Sequence, residues 1–354
     1  LPYILKNASE NDRNTLVNLT NKLICNSKKY FEIIEYNYEF KTVLLIQSKS
    51  LSMLDDKIKE YISNLNYEKE KLQLSIEKII SKYYDYQLDS SNVVLEKDFF
   101  NINVVKSYIS YAIGVIFGRY SLDEEGLIYA GGTWNADRYH KFKPNADNVL
   151  LITDNEYFRD SSMDIVNRFI DFVEITFGKD TLEENLQFIA DTLGGKGTSR
   201  EIIRWYFVKD FYKDHLKTYQ KRPIYWQLDS GKQDGFKALI YLHRYTPDQL
   251  GKVRTDYLHE LQKAYNNRIE LRTQQIQVSE NQKEINSMQK EIAKLQKQLK
   301  EIREYDEKLG HLALQRIELD LDDGVVVNYD KLQRDPNDGK KYSILAKGVK
   351  EPKK

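Results

Sequence analysis

Ile224-Tyr-Trp-Gln-Leu228, then a turn rich in Gly, Asp and Ser over 229–235, then Phe236-Lys-Ala-Leu-Ile-Tyr-Leu-His243, is the stretch that decides the fold. Aromatic and aliphatic runs on either side of such a turn predict a β-hairpin over 224–243. Upstream, Leu127-Ile-Tyr-Ala130 and Val149-Leu-Leu-Ile152 are short enough and apolar enough to be further strands. Everything around them carries helical spacing, so the expected class is α+β, a mixed helical/β core with long amphipathic, coiled-coil-like helical arms.

The first arm is written in Leu51, Leu54, Ile58, Tyr61, Leu65, Leu72, Ile76, Ile79 and Tyr83. These step mostly by three and four, and no Gly or Pro interrupts 47–86, which predicts one long helix. The second arm is carried by Ile285, Met288, Ile292, Leu295, Leu299, Ile302 and Leu309, with Gly310 as its stop. Two such helices in one chain suggest an intramolecular antiparallel hairpin or a dimer interface. Between the arms, a helix over 104–117 ends at Gly118. Ser161/Ser162, Thr181 with Glu184, and Thr198 with Glu201 open three more, the last running to about Tyr219. Thr246 before Pro247 is a further helix start. A short helix is expected over 14–24 and a strand-like run over 30–45. The expected organisation is a mixed segment 1–46, a helical spacer 47–90, an α+β core 91–250, an arm 251–310 and a small module with a frayed tail 311–354.

The chain has 354 residues, 54 Lys+Arg against 54 Asp+Glu, one Cys and five His. One Cys excludes an internal disulfide framework and a multi-Cys zinc site. The widely spaced His make a structural zinc site improbable, and no metal is expected. No apolar run reaches the roughly 18 residues of a membrane span. The opening Leu-Pro-Tyr has neither a basic nor an apolar leader, so a cytoplasmic, non-membrane protein is expected; the missing initiator Met fits a piece of a longer chain. Catalytic signatures are also missing. The six Pro are isolated, so no Asn/Asp-Pro-Pro-aromatic loop can hold a base's amino group, and no Phe-x-Gly-x-Gly strand end exists for a methyl donor. Gly194-Gly-Lys-Gly-Thr-Ser199 is neither a Walker A loop nor a dinucleotide fingerprint. No catalytic residue is assigned.

The neutral total hides a polarity. Residues 149–193 hold ten acids and three bases, a balance of −7, whereas 194–244 hold eleven bases and five acids, a balance of +6. A basic block is what a polyanion requires; the plain alternative is that the two blocks face each other or water. Within it, the glycine loop opening into a helix favours phosphate. Lys196, Thr198, Arg200 and Arg204, with Lys232 in the hairpin turn, form the candidate DNA-backbone set. A second loop, 131–143, offers donors and acceptors for base edges: Thr133, Trp134, Asn135, Asp137, Arg138 and His140. The plain alternative for each loop is a variable surface segment.

Several longer segments share a family likeness. They are Ser110-Tyr-Ala-Ile-Gly-Val-Ile-Phe-Gly-Arg-Tyr-Ser-Leu-Asp123 with Gly126-Leu-Ile-Tyr-Ala130, Tyr206-Phe-Val-Lys-Asp-Phe-Tyr-Lys-Asp-His215, Lys221-Arg-Pro-Ile-Tyr-Trp226, Ala238-Leu-Ile-Tyr-Leu-His-Arg-Tyr245 and Leu319-Asp-Leu-Asp-Asp-Gly-Val-Val-Val-Asn-Tyr329. In this order they resemble the C-terminal half of PglX-type adenine-specific DNA methyltransferases of BREX phage-defence systems, relatives of type IIG-like restriction–modification enzymes. The helix ending Ile80-Ser-Lys-Tyr-Tyr-Asp-Tyr-Gln-Leu-Asp89 resembles that family's spacer. The resemblance implies a target-recognition region that binds double-stranded DNA and works with an N-terminal methyltransferase domain. S-adenosylmethionine would serve that parent protein, with no cofactor in this chain, which alone would be non-catalytic. The alternative is a module binding other defence-system proteins or a phage DNA mimic.

Overall fold

A computed structural model describes residues 7–33, 48–83, 103–158 and 162–350. They fall into two compact units, one built on residues up to Tyr111 with 125–127, the other on 112–124 and 128 onward. In the first unit α1 (Glu10–Phe31) packs along α2 (Leu51–Ser81). Ser9 and Ser50 cap the two helices by accepting from Asp12 N and Met53 N. Leu51, Leu54, Ile58, Ile62 and Leu65 are the buried stripe of α2. Tyr83 ties the pair together: its Oη donates to Asp12 Oδ2 at 2.5 Å and accepts from Ser9 N at 3.1 Å. The first arm is therefore a helix, but its partner is α1, which the Ser9 cap starts four residues before the expected Asn14. Of the strand-like run 30–45, residues 30 and 31 end α1 and 34–45 lie outside the described residues.

Helix α3 (Val104–Phe117) leads into the second unit and stops at Gly118. This position demands glycine twice. Its φ is +78°, and a Cβ there would come within 2.4 Å of the Trp134 ring. The sheet follows the hairpin expectation: β1 (Val149–Ile152), β2 (Tyr225–Asp229) and β3 (Lys237–Tyr241) run antiparallel in the order β1-β3-β2. Register pairs Val149 with Ile240 and Trp226 with Ile240, so Val149, Leu151, Trp226, Leu228, Ala238 and Ile240 share one face. That face packs on Leu261, Tyr265, Leu295, Leu299, Ile302 and Tyr305 of the long helices. The other face carries Tyr225 and Tyr241 against Phe117, with His215 stacked on Tyr225. Both faces are covered, which is why the strands read as apolar runs rather than alternation.

Residues 127–130 are not a strand. Ile128 N and Tyr129 N both donate to the single carbonyl of Arg119, so no ladder can form there. Helix α4 (Ile165–Phe177) is capped by Asp164, whose Oδ1 accepts from Val166 N and Asn167 N; of the expected Ser161/Ser162 start, residue 161 lies outside the described residues and Ser162 stands two residues before the cap. Thr181 does not cap α5 (Leu182–Leu193); its hydroxyl donates to Phe177 O in the preceding turn. Thr198 and Glu201 do form the reciprocal capping box of α6 (Ser199–Lys209). The helix expected to reach Tyr219 breaks at Asp210 and resumes as α7 (Phe211–Thr218).

The second arm begins at α8 (Gln249–Lys252), with Thr246 outside it, passes through a π-helical turn (Val253–Leu258) and continues as α9 (His259–Val278). Helix α10 (Gln282–Leu314) packs back along α9, and Glu291 clamps Arg268 and Arg272 across them at 2.8 and 2.7 Å. Gly310 does not stop α10. It lies inside the helix, where a Cβ would meet the Arg254 guanidinium at 3.0 Å; that guanidinium is itself paired with Asp306. The last module is helical, α11 (Gly324–Lys331), entered from a single turn at Leu321–Asp323.

Candidate nucleic-acid interface

Strand β3 separates two loop clusters, one at its Lys237 end and one at its Tyr241 end. At the Lys237 end the hairpin turn is held by a carboxylate from the arm. Glu301 accepts from Ser230 Oγ (2.7 Å), Gln233 N (2.8 Å) and Gly235 N (3.1 Å), and Ser230 Oγ accepts from Phe236 N (2.8 Å). A turn so fixed presents Lys232 and Gln233 outward at little entropic cost. Lys209 of α6 pairs with Asp234 of this turn, which joins the turn to the glycine loop. A groove of about 260 Å³ runs between Gly194, Gly195, Lys196, Ile202, Trp205 and Lys209. Trp205 is 45% exposed, with Lys209 Nζ 5.9 Å and Lys294 Nζ 6.0 Å from its ring centre.

The predicted phosphate set divides here. Lys196 and Lys232 are exposed at this end. Arg200 makes an exposed two-pronged pair with Glu183 (2.8 and 2.6 Å), a contact cheap to exchange for a phosphate. Thr198 and the loop's anion-favouring geometry are taken by Glu201, whose Oε2 accepts from Thr198 N (2.7 Å) and its hydroxyl (2.9 Å). Arg204 is in the core. It donates to Asp164 Oδ2 (2.6 Å), Asp164 Oδ1 (3.0 Å) and Thr153 Oγ1 (2.8 Å), so its charge belongs to a buried carboxylate. The acidic and basic blocks thus meet at Glu183–Arg200 and Asp164–Arg204.

At the Tyr241 end lies the 131–143 loop. Trp134 is stacked on Tyr139 (5.0 Å, 12° between planes), and the Arg244 guanidinium covers it at 4.2 Å. Arg138 pairs with Glu124 and donates to Ile128 O at 3.1 Å; the bond from Arg138 holds the Glu124 carboxyl below its ordinary range. Asn135 uses its carbonyl to cap the next turn, accepting from Asp137 N at 2.9 Å. Asp123 accepts from His140 N (2.7 Å) and Lys141 N (3.1 Å); burial alone would raise its carboxyl, and these donors bring it below the usual value. Trp134 and Arg138 therefore hold the loop in shape. Thr133, Asn135, Asp137 and His140 are exposed, and Tyr139 is the buried anchor between them.

Trp205, Lys209, Lys294 and Glu301 were not among the predicted site residues. Trp205 had a signal: Ile203, Tyr206 and Phe207 are the buried stripe of α6, and position 205 falls off it. Glu301 and Lys294 had none, because their role depends on how the arm folds back over the hairpin. The described residues do not fit S-adenosylmethionine. The sheet is antiparallel with no glycine-rich strand end, and at the glycine loop Glu201 already takes the Thr198 N–H and hydroxyl. Among the described residues no His/Cys/Asp/Glu group could hold a metal, and no helix is long and apolar enough to cross a membrane.

No protein-family model matches the chain. It is 49% identical to the adenine-specific methyltransferase PglX of Lacticaseibacillus casei (strain Zhang) over 236 residues, 65% of this chain and 19% of that protein. It is 36% identical to the adenine-specific methyltransferase BrxX of Escherichia coli O9:H4 (strain HS) over 355 aligned residues, 90% of this chain and 29% of that protein. The chain therefore spans under a third of the length of these relatives, and along most of its own length it is a homologue of the PglX-type proteins.

Proposed function

We propose that this chain is the DNA-contacting, target-recognition part of an adenine-specific DNA methyltransferase, with methyl transfer from S-adenosylmethionine carried by another part of the parent protein. The carrying observation is the surface at the Lys237 end, where Lys196, Trp205 and Lys209 line one groove, Lys294 stands beside the exposed Trp205, and Lys232 is exposed on the hairpin turn; Lys209 and Lys294 are ion-paired with Asp234 and Asp154, so Lys196 and Lys232 are the cations best placed to meet phosphate. Cations draw a duplex in through its phosphates, and a solvent-facing indole adds stacking area. The exposed side chains of the 131–143 loop, Thr133, Asn135, Asp137 and His140, are the base readers in this account. Five residues of β3 separate the two ends, on the order of 15 Å, or four to five base-pair steps of B-DNA. One short site can therefore engage both. The relatives are named as adenine-specific methyltransferases, which supports an adenine base as the target.

The test is anisotropy binding to a labelled duplex over a series of salt concentrations, for the chain and for K196A/K232A. The expected result is a linear log–log fall whose slope drops by about two in the double variant. An unchanged slope would remove these lysines from the interface. Absence of binding at low salt would move the reading to a protein partner within the defence system.

A further inference from the structure

A guanidinium taken out of water is costly unless an opposite charge meets it. Arg204 meets Asp164. Arg119 does not follow this pattern. Its Nε donates to Tyr120 Oη at 3.0 Å and its Nη1 to Tyr241 Oη at 3.2 Å, while Tyr241 Oη donates onward to Tyr129 O at 2.7 Å. No carboxylate among the described residues pairs with it. Burial works against its charge, yet the surrounding phenol oxygens of Tyr120, Tyr219, Tyr241 and Tyr225 keep its pKa above the ordinary value.

Two histidines share this neighbourhood. His215 is 3% exposed, and its Nε2 accepts from Tyr225 N at 3.1 Å. A neutral ring accepting at Nε2 carries its proton on Nδ1. That Nδ1 is buried with no hydrogen-bond partner, and so is Nδ1 of His243. Ring contacts join them: Tyr225 lies 4.8 Å from His215 and 5.5 Å from Tyr241, which lies 5.0 Å from His243. Burial first, and then the charge of Arg119, push His215 down to about 3 and His243 down to about 4. The cluster thus holds a cation and a buried N–H donor with no anion facing them.

We propose that Arg119, with His215 and His243, forms a seat for a phosphate-type oxyanion, Arg119 giving the charge and His215 Nδ1–H a hydrogen bond. Phosphate chemistry fits because the guanidinium fork matches two oxygens of one phosphate, and the remaining oxygens accept from donors on other sides. The phosphate is either inorganic or a phosphodiester of DNA, and only the second source rests on the function proposed above.

The experiment is calorimetric titration of the whole chain with inorganic phosphate at constant ionic strength, with imidazole ¹⁵N NMR of His215. The expected result is saturable binding, displacement of the His215 Nδ1 signal, and binding weakened roughly ten-fold or more in R119Q. If R119Q does not fold, R119K replaces it; it keeps the charge but loses the fork, and weaker binding is again expected. No saturable binding, or equal binding in the variants, overturns the seat. A duplex arm separates the sources. Phosphate that competes with duplex, with weaker duplex binding in R119Q, identifies a backbone phosphate. Phosphate binding that leaves the duplex untouched identifies a free anion, and phosphate binding by a chain that binds no duplex upholds the seat while the DNA reading fails.

Discussion

Arg204 and Arg119 are both withdrawn from bulk water, yet their surroundings are opposites. Arg204 is enclosed by its own carboxylate: Asp164 takes both of its terminal nitrogens, accepts from Thr153, and caps α4 with the same side chain. Arg119 donates to the phenols of Tyr120 and Tyr241, and His215 and His243 belong to the same aromatic cluster. A buried cation with its own acid is a rivet between elements, here β1, α4 and α6. A half-buried cation without one, as Arg119 is, is a place where something else can supply the charge. Basic sequence alone does not separate these cases, and an arginine in a basic block was the less available of the two.

The largest effect is expected at Asp164. D164A should leave Arg204 charged, buried and unpaired and strip the α4 cap, costing about 3–5 kcal/mol in urea unfolding of the whole chain. R119M, which removes a cation that no acid depends on, should change stability by only about 1 kcal/mol in either direction. Similar large losses for both would erase the distinction.

Acid sharpens it next. His215 has a folded pKa near 3, against about 6.5 for an unfolded histidine. The unfolded chain therefore binds the extra proton first. Stability contributed by neutral His215 is present above pH 6.5 and falls between about 6.5 and 3, by up to about 1.4 kcal/mol per pH unit. H215Q should flatten that part of the stability–pH curve, while K196A, at an exposed site, should leave its slope in place. A slope unchanged by H215Q would mean that the ring is solvated.

A smaller effect is expected at Glu301, where E301A should leave the turn amides of Gln233 and Gly235 without their acceptor at about 1–3 kcal/mol. Amide exchange should speed up at those two positions and not in the 131–143 loop, at the far end of β3. The smallest stability effect belongs to K196A, within about 0.5 kcal/mol, because the side chain is solvent-exposed; its consequence should show only in the salt slope.

Much of this fold was legible. The hairpin 224–243, the helix over 104–117, the Thr198–Glu201 capping box and both long helices follow from local spacing, and each is local in its causes. The misreadings share one origin. Leu127–Ala130 looks like a strand but finds a single carbonyl in place of a partner strand, and Gly310 looks like a stop but is a packing glycine under Arg254. Asp164, the cap of α4, also answers Arg204, 40 residues away, a pairing that local spacing does not announce. The candidate site was legible as composition and not as geometry. Lys196, Arg200 and Arg204 stand close in sequence, yet one is exposed, one is in a surface pair and one is in the core. No sequence pattern places Lys294 beside Trp205, because that contact requires α10 to fold back over the sheet.

Whether this surface holds duplex DNA is read by salt-titrated anisotropy of the intact chain on a short duplex. Binding should weaken linearly with salt on a log–log plot. K196A/K232A should lower its slope by about two, and R204M, if folded, should leave it alone. Binding at low salt with a slope that the lysine pair does not alter, or a slope lowered by R204M, would contradict duplex binding at this surface.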